Sequence, residues 1–485
     1  MSFDYDLVVI GSTPEGIYAA RKAILLQARV ALVTQTEVGE RYLNHSSFIY
    51  SRYLNEITNY YKQFTSNFRQ KEVAQTTKSA VSLADIKSYA NLIQENIIAE
   101  HSLDELAILG VDVIDGLGEF CRLPKQAFLV NHRQLRSRNY LLATGAKYQL
   151  EDRDIAAEFN CLTPDDLWQK NPLDLPQNLV IVGSSYYSLE LAQGLARLGK
   201  QVTLVTSHKR LLDGEALATE RLLQAQFAAD GIKVILNSAI QQIKVIDNQT
   251  WLQIGDRAIE TEAIIFTIKI ELNVAGLNLD GVGVTSFLKH ISVNQKLQTK
   301  NKSIYACGEL LEVNALPHIT QYQVDIALKN MFSFPWFKTD YRYLPIVIST
   351  QPQIARVGLA ELPSQPNNSH LYLVKQHFKS IMQAQITQST MGWCQFIIQA
   401  NGEILGCTIV CDRATELINI VAMMMRYKIK LSRNPIQGLL SQEIAYVAPS
   451  FSEILNKVVI AFHQQKLQRD RNLRNRLETW FEWRR

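Results

Sequence analysis

No two of the six cysteines in this 485-residue chain form a CxxC pair; they are Cys121, Cys161, Cys307, Cys394, Cys407 and Cys411. Such scatter in a long chain argues against a disulfide framework and for free thiols in a reducing compartment. Low-complexity tracts and Pro/Gly-rich linkers are missing too, which excludes a largely disordered chain. No apolar run approaches the roughly 20 residues that span a bilayer. The opening MSFDYDLVVIGS goes straight into a strand pattern, with no basic leader or long apolar stretch of an export signal, so a cytoplasmic protein is expected. The nine histidines show no HExxH-like spacing, and no metal is expected. An excess of one charge is absent from the body. The net charge is +4, and from Lys466 to Arg485 seven basic residues stand against three acids, so the tail supplies the whole excess. A neutral body argues against a nucleic-acid surface.

What the chain does have is length, and a prior of roughly 150 residues per domain suggests about three domains. Hydrophobic residues make up 47% and charged residues 20%, as in ordinary globular proteins. Tyr5 to Ile10 reads as a buried strand; GSTPEG (Gly11 to Gly16), a helical stretch and a second strand, RVALVT, follow. That order predicts the βαβ unit of a dinucleotide site, where a tight turn delivers a diphosphate to a helix N-terminus. Thr13 stands where GxGxxG has its second glycine. Residues 178 to 206, NLVIVGSSYYSLELAQGLARLGKQVTLVT, repeat the pattern about 170 residues later. Here Gly183 remains, while Ser185 and Ser188 take the second and third glycine places.

Between the two units lies LLATGAKYQL (Leu141 to Leu150), and after them SIYACGEL (Ser303 to Leu310), LPHIT (Leu316 to Thr320), LPIVISTQPQIARVGLAE (Leu344 to Glu361) and GWCQFIIQANGEILGCTIVCDRATELI (Gly392 to Ile418). In this order, over about residues 4 to 463, the chain resembles the flavoprotein disulfide reductases, the family of glutathione reductase, dihydrolipoamide dehydrogenase and mercuric reductase. The resemblance implies an α/β protein of two nested Rossmann-type dinucleotide-binding domains followed by an α+β dimerisation domain. The implied boundaries are 1–150 with 276–340 for FAD, 151–275 for NAD(P), 341–463 for the dimer domain and 464–485 for a basic amphipathic tail.

The resemblance also implies a set of site positions. For FAD they are Gly11, Thr13, Gly16, Ala143, Thr144, Gly145, Gly308, Glu309 in place of an aspartate, and His318 within the segment expected at the flavin's pyrimidine edge. Thr34 ends the second strand where an acid commonly binds ribose. For the nicotinamide nucleotide they are Gly183, Ser185 and the run Ser207, Lys209, Arg210, whose basic character suits the 2'-phosphate of NADPH better than NADH; a solvated charge run is the alternative. Tyr186 matches a tyrosine that gates the nicotinamide pocket. Glu190 matches a glutamate whose lysine partner is missing, and Arg52 is its expected substitute.

The chain departs from the family where sulfur does the work. The family's loop GGTCLNxGCIPSK is matched by GERYLNHSSFIYS, so its two cysteines have become Tyr42 and Ser47. Neither a phenol nor an alkyl hydroxyl can attack sulfur as a thiolate and store two electrons in a mixed disulfide. The family's HxHPTxxE is matched by YVAPSFSE: Ala448 replaces the acid/base histidine, and Glu453 remains. Two functions are compatible with this pattern. One is a flavoprotein carrying electrons from NAD(P)H to a small-molecule or protein acceptor that is not a disulfide; the other is a catalytically silent homodimer acting as scaffold or regulatory partner. The tail, residues 466–485, with Trp480, Phe481 and Trp483 among arginines, suits packing on the dimer, a protein contact or peripheral association with an anionic membrane.

Overall fold

The computed structural model describes residues 3–35, 51–59, 83–99, 102–122, 125–148, 159–169, 175–247, 249–267, 270–287, 290–311, 316–362, 370–431 and 447–485. The chain divides into two compact units, residues 1–209 with 231–339, and residues 210–230 with 340–485. No described helix is long and apolar enough to cross a membrane.

The first unit holds two parallel five-stranded sheets. In one, the spatial order is Ile304–Ala306, Ser137–Leu142, Tyr5–Ile10, Val30–Val33, Asp112–Ile114. The central strand pairs on both sides, with Val8 opposite Ala31 and Tyr140. A strand buried on both faces has no polar side to show, and this accounts for the unbroken run LVVI. Leu7 and Val9 join one core with Ala19, Ala20 and Ala23, while Val8 and Ile10 join the other with Phe120, Phe128 and Tyr140. The small alanines let helix Pro14–Leu25 lie close against the sheet.

The other sheet runs Lys233–Ile235, Gln201–Val205, Asn178–Val182, Ala263–Phe266, Cys161–Leu162. Helix Tyr186–Arg197 packs on its two central strands. Each sheet therefore presents the carboxyl end of a central strand to the N-terminus of the following helix, at Gly11 and at Gly183. Both glycines have φ in the left-handed range, 108° and 136°.

The second unit is built on an antiparallel sheet ordered Ile346–Ile348, Gln353–Gly358, Ile404–Cys411, Trp393–Gln399, Leu371–His377. Helix Ala414–Arg426 packs on strands Gln353–Gly358 and Ile404–Cys411, and helix Glu453–Arg469 on Leu371–His377 and Trp393–Gln399. Cys394, Cys407 and Cys411 lie in this core, each at most 1% exposed. Cys394 and Cys407 share a hydrogen bond, and burial pushes the Cys407 thiol well up, the reverse of what a reactive dithiol needs. Asp412 and Arg413 lead into helix Ala414–Arg426. The C-terminal region forms two helices, Glu453–Arg469 and Arg471–Arg484, separated at Asp470. Leu455 and Phe462 are buried on the first; Trp480, Phe481 and Trp483 are exposed on the second.

Candidate active site: two capped turns and a carboxyl pair

Close approach of backbone to backbone makes the first turn. A Cβ on Gly11 would sit 2.1 Å from the Ala143 carbonyl oxygen, and one on Gly16 would sit 2.2 Å from that of Gly11. Gly145 and Gly308 hold φ of 68° and 71°. The Thr144 hydroxyl is buried with no protein partner, and Asn273 Nδ2 donates to its carbonyl at 3.1 Å. These backbone surfaces and this unsatisfied hydroxyl fit the diphosphate and ribityl parts of FAD. Gly11, Gly16, Ala143, Thr144, Gly145 and Gly308 would hold it, with Gly308 N–H braced by Gln323 Oε1 at 2.8 Å.

Thr13 takes up a different role from the glycine it replaces. It is the N-cap of helix Pro14–Leu25: its Oγ1 accepts from Gly16 N at 3.4 Å and lies 2.8 Å from the Ala143 carbonyl, to which it donates. The second turn repeats the device. Thr267 donates to the Val182 carbonyl at 2.8 Å, so Ser188 must donate to Thr267 at 2.7 Å and Ser185 to Ser188 at 2.6 Å. Ser185 Oγ also accepts from Ser188 N at 3.2 Å, which caps helix Tyr186–Arg197. A hydroxyl at each turn thus satisfies an N–H left open by the helix. Ser185→Ala should lower stability by about 1 kcal/mol, as a shift in urea midpoint; an unchanged midpoint would show that the cap adds nothing.

Glu309 and Glu15 meet at the strand end Ile304–Ala306. Glu309 Oε2 accepts from Ala146 N at 3.1 Å, and desolvation together with the charge of Glu15 raises its pKa to about 8. Glu15, 5% exposed, was not singled out in the sequence. Desolvation raises it to about 7, opposed by hydrogen bonds from its own backbone N–H and from Thr13. Burial also drives up the phenols of Tyr148 and Tyr187; Tyr187 accepts from Trp168 Nε1 at 3.0 Å, with the Tyr148 ring centroid 6.4 Å away.

The remaining predicted positions sort as follows. Thr34 is buried; its Oγ1 accepts from Gly116 N at 3.4 Å. His318 sits in the first turn of helix Pro317–Phe332 and is half-buried. Tyr186 opens helix Tyr186–Arg197, half-buried. Glu190, 2% exposed, has the expected partner: Arg52 Nε lies 3.6 Å from Oε2, and Ser51 Oγ lies 3.5 Å from the same oxygen. Ser207 and Lys209 are exposed beyond strand Gln201–Val205. Arg210, expected at a 2'-phosphate, is engaged within the chain: its Nε donates to Glu220 Oε2 at 2.6 Å and its NH2 to the Glu215 carbonyl at 2.7 Å. Nearby, buried Glu215 pairs with Arg356 at 2.7 Å. Glu453 Oε1 accepts from Ser450 N at 2.8 Å, and Ala448 is exposed. Tyr42 and Ser47 lie outside the described residues. Among the described residues no group of three or more His, Cys, Asp or Glu side chains is placed to hold a metal.

Residues 5–327 match the pyridine nucleotide-disulphide oxidoreductase family, and residues 344–459 match its dimerisation domain, which supports a homodimer. The chain is 25% identical to a mercuric reductase of Staphylococcus aureus over 435 residues, 87% of this chain and 77% of that protein. It is 24% identical to a dihydrolipoyl dehydrogenase of Chlamydia pneumoniae over 437 residues, 89% and 92% of the two. Among solved structures, the Cu(II) complex of the HOCl-induced flavoprotein disulfide reductase RclA from Escherichia coli superposes with a TM-score of 0.77 at 20% identity, covering 95% of this chain and 99% of that one. LpdA from Mycobacterium tuberculosis gives 0.77 at 20%, covering 93% and 98%. With nested parallel sheets, two helix-capping turns and both family domains matched in order, the chain belongs to the pyridine nucleotide-disulphide oxidoreductases, a family that is FAD-dependent and takes electrons from NAD(P)H.

Proposed function

We propose that this protein is a homodimeric flavoprotein that takes electrons from NAD(P)H and passes them to an acceptor other than a disulfide. Residues 1–150 with 276–340 hold the flavin, 151–275 the nicotinamide nucleotide, and 341–463 the dimer contact. The observation that carries this reading is the replacement of the dithiol by Tyr42 and Ser47 while Glu190 keeps a cationic partner in Arg52. A buried glutamate stripped of its cation would be an uncompensated charge, costing about 3–5 kcal/mol; the replaced ion pair supports a maintained site. When bound, FAD supplies two-electron chemistry that needs no protein sulfur. The chain's own part would be to place it: the backbone of Gly11, Ala143 and Gly308 would hold the diphosphate, Glu309 would be available to the sugar alcohol chain, and exposed Lys209 would favour the extra phosphate of NADPH.

The test is spectroscopic. Under anaerobic conditions NADPH should bleach the visible flavin band, a quinone should restore it, and lipoamide or oxidised glutathione should not. Brisk reoxidation by either disulfide would overturn the reading. The hydroxyl caps at Thr13 and Ser185 favour a second reading, a silent dimeric scaffold, because they let both turns stand without a nucleotide; bound flavin indifferent to NADH and NADPH would establish it.

A further inference from the structure

Glu15 occupies the fifth place of GSTPEG, at the second residue of helix Pro14–Leu25, where backbone N–H groups and the helix dipole favour an anion. Its side chain is buried and turned inward. The Oε1 atom lies 2.2 Å from where a Cβ on Gly308 would be, so the carboxyl fills the space that the absent side chain of Gly308 leaves beside the first turn. There it accepts from its own backbone N–H. Thr13 Oγ1 is within reach of both this carboxyl and the Ala143 carbonyl, and its single proton serves one at a time. Backbone N–H groups at this helix start are the donors a Rossmann turn offers to a diphosphate.

We propose that Glu15 is a built-in competitor for the diphosphate of FAD, a carboxylate of the chain itself holding the anion place of the groove, so that the cofactor is retained only when this group is protonated or displaced. The proposal rests on the FAD-dependence of the family and not on the identity of the electron acceptor. Three features of the site support it. Two negative groups cannot share a desolvated pocket without one of them being neutralised. Among the described residues, the ionisable groups coupled to Glu15 are Glu309, from the turn after strand Ile304–Ala306, and the Cys307 thiol; neither brings positive charge, and both have raised pKa values of their own. The Thr144 hydroxyl in the turn after strand Ser137–Leu142 is buried with no protein partner, and its Cα lies beside Gly11, which leaves a polar group at the first turn still able to receive a ligand. With Glu15 raised to about 7, the neutral and charged forms exchange within the range where proteins are handled.

The experiment is an FAD titration of flavin-free protein, followed by quenching of flavin fluorescence, at pH 6 and pH 9, with thermal melts to verify folding. Wild-type affinity should fall about tenfold per pH unit above 7, or roughly a hundredfold between the two conditions. Glu15→Gln, which keeps the shape and removes the charge, should bind at pH 9 about as well as wild type does at pH 6. Glu15→Gly should bind tightly at both. A pH-independent wild type overturns the proposal. So does a Glu15→Gln protein that keeps the full pH dependence, since Glu309 would then be responsible, or a folded set of proteins none of which binds FAD. If binding behaves as stated but NADPH fails to bleach the flavin, the functional reading falls and the role of Glu15 stands.

Discussion

The flavin-free protein should lose stability as the pH rises from 5 to 9, with the melting temperature of the first unit falling by about 5–10 °C. Glu15 and Glu309 are the cause. Their pKa values rise from 4.5 in the unfolded chain to about 7 and about 8 in the folded one. Between those limits the folded state binds more protons than the unfolded state, so the stability slope against pH is negative. The contribution is at its best below 4.5, declines through the window and is fully lost above about 8. At 1.36 kcal/mol per pKa unit, and allowing for the half-buried position of Glu309 and the coupling between the two groups, the loss is roughly 5 kcal/mol. Asp112 and Asp340 are lowered by Arg133 and Arg342, so they titrate below this window and cannot mask it. In the second unit His463 works the other way. It is 0% exposed, desolvation lowers its pKa, and its neutral form gains stability as pH rises toward 6.5. In the same unit burial raises Glu215 despite Arg356, which works as Glu15 does and opposes His463; calorimetry across pH 5–9 should therefore show the falling slope in the first unit, and Glu15→Gln with Glu309→Gln should flatten it. A first-unit transition that rises or stays level from pH 5 to 8 would refute the burial of these carboxyls.

The turn geometry was legible because it is local. Gly11 and Gly183 follow apolar strands, and a helix pattern follows each; spacing alone placed both turns, and the same spacing exposed Thr13 and Ser185 as substitutions. What those substitutions do was not legible. Whether a threonine blocks a turn or caps its helix depends on where its hydroxyl points, and that is fixed by Ala143, 130 residues away. Glu15 was missed for the same reason: as a helix first-turn acid it is unremarked, and only its packing against Gly308 shows it as a buried carboxyl. The pairing of Glu190 with Arg52 was legible from the rule that a buried charge needs a partner. The ion pair of Arg210 was not legible. Its neighbours Ser207, His208 and Lys209 are exposed and gave the run a basic character, but Glu220 at the start of the next helix captures the guanidinium. The break at Asp470 was invisible because helical periodicity continues through it.

Tyr42→Cys with Ser47→Cys should leave lipoamide reduction at background, whereas adding Ala448→His should raise it by about 10²–10⁴-fold, the usual contribution of a positioned acid/base. In the family motif that these positions resemble, thiols and proton carrier act together. A thiol pair alone can accept electrons only if one sulfur is deprotonated at the moment of attack and the leaving sulfur is protonated. Ala448 can do neither. Glu453 persists, with Oε1 held by Ser450 N at 2.8 Å, so the residue that orients the imidazole in the family is already fixed on the chain. The dithiol and its proton carrier are therefore one device, and restoring half of it returns nothing. Stopped-flow reduction of the triple variant by NADPH, followed by single-turnover oxidation with lipoamide, separates chemistry from flavin loading. Full recovery from the two cysteines alone would mean that another group carries the proton, and Ala448 would then lend no support to the proposal of a non-disulfide acceptor.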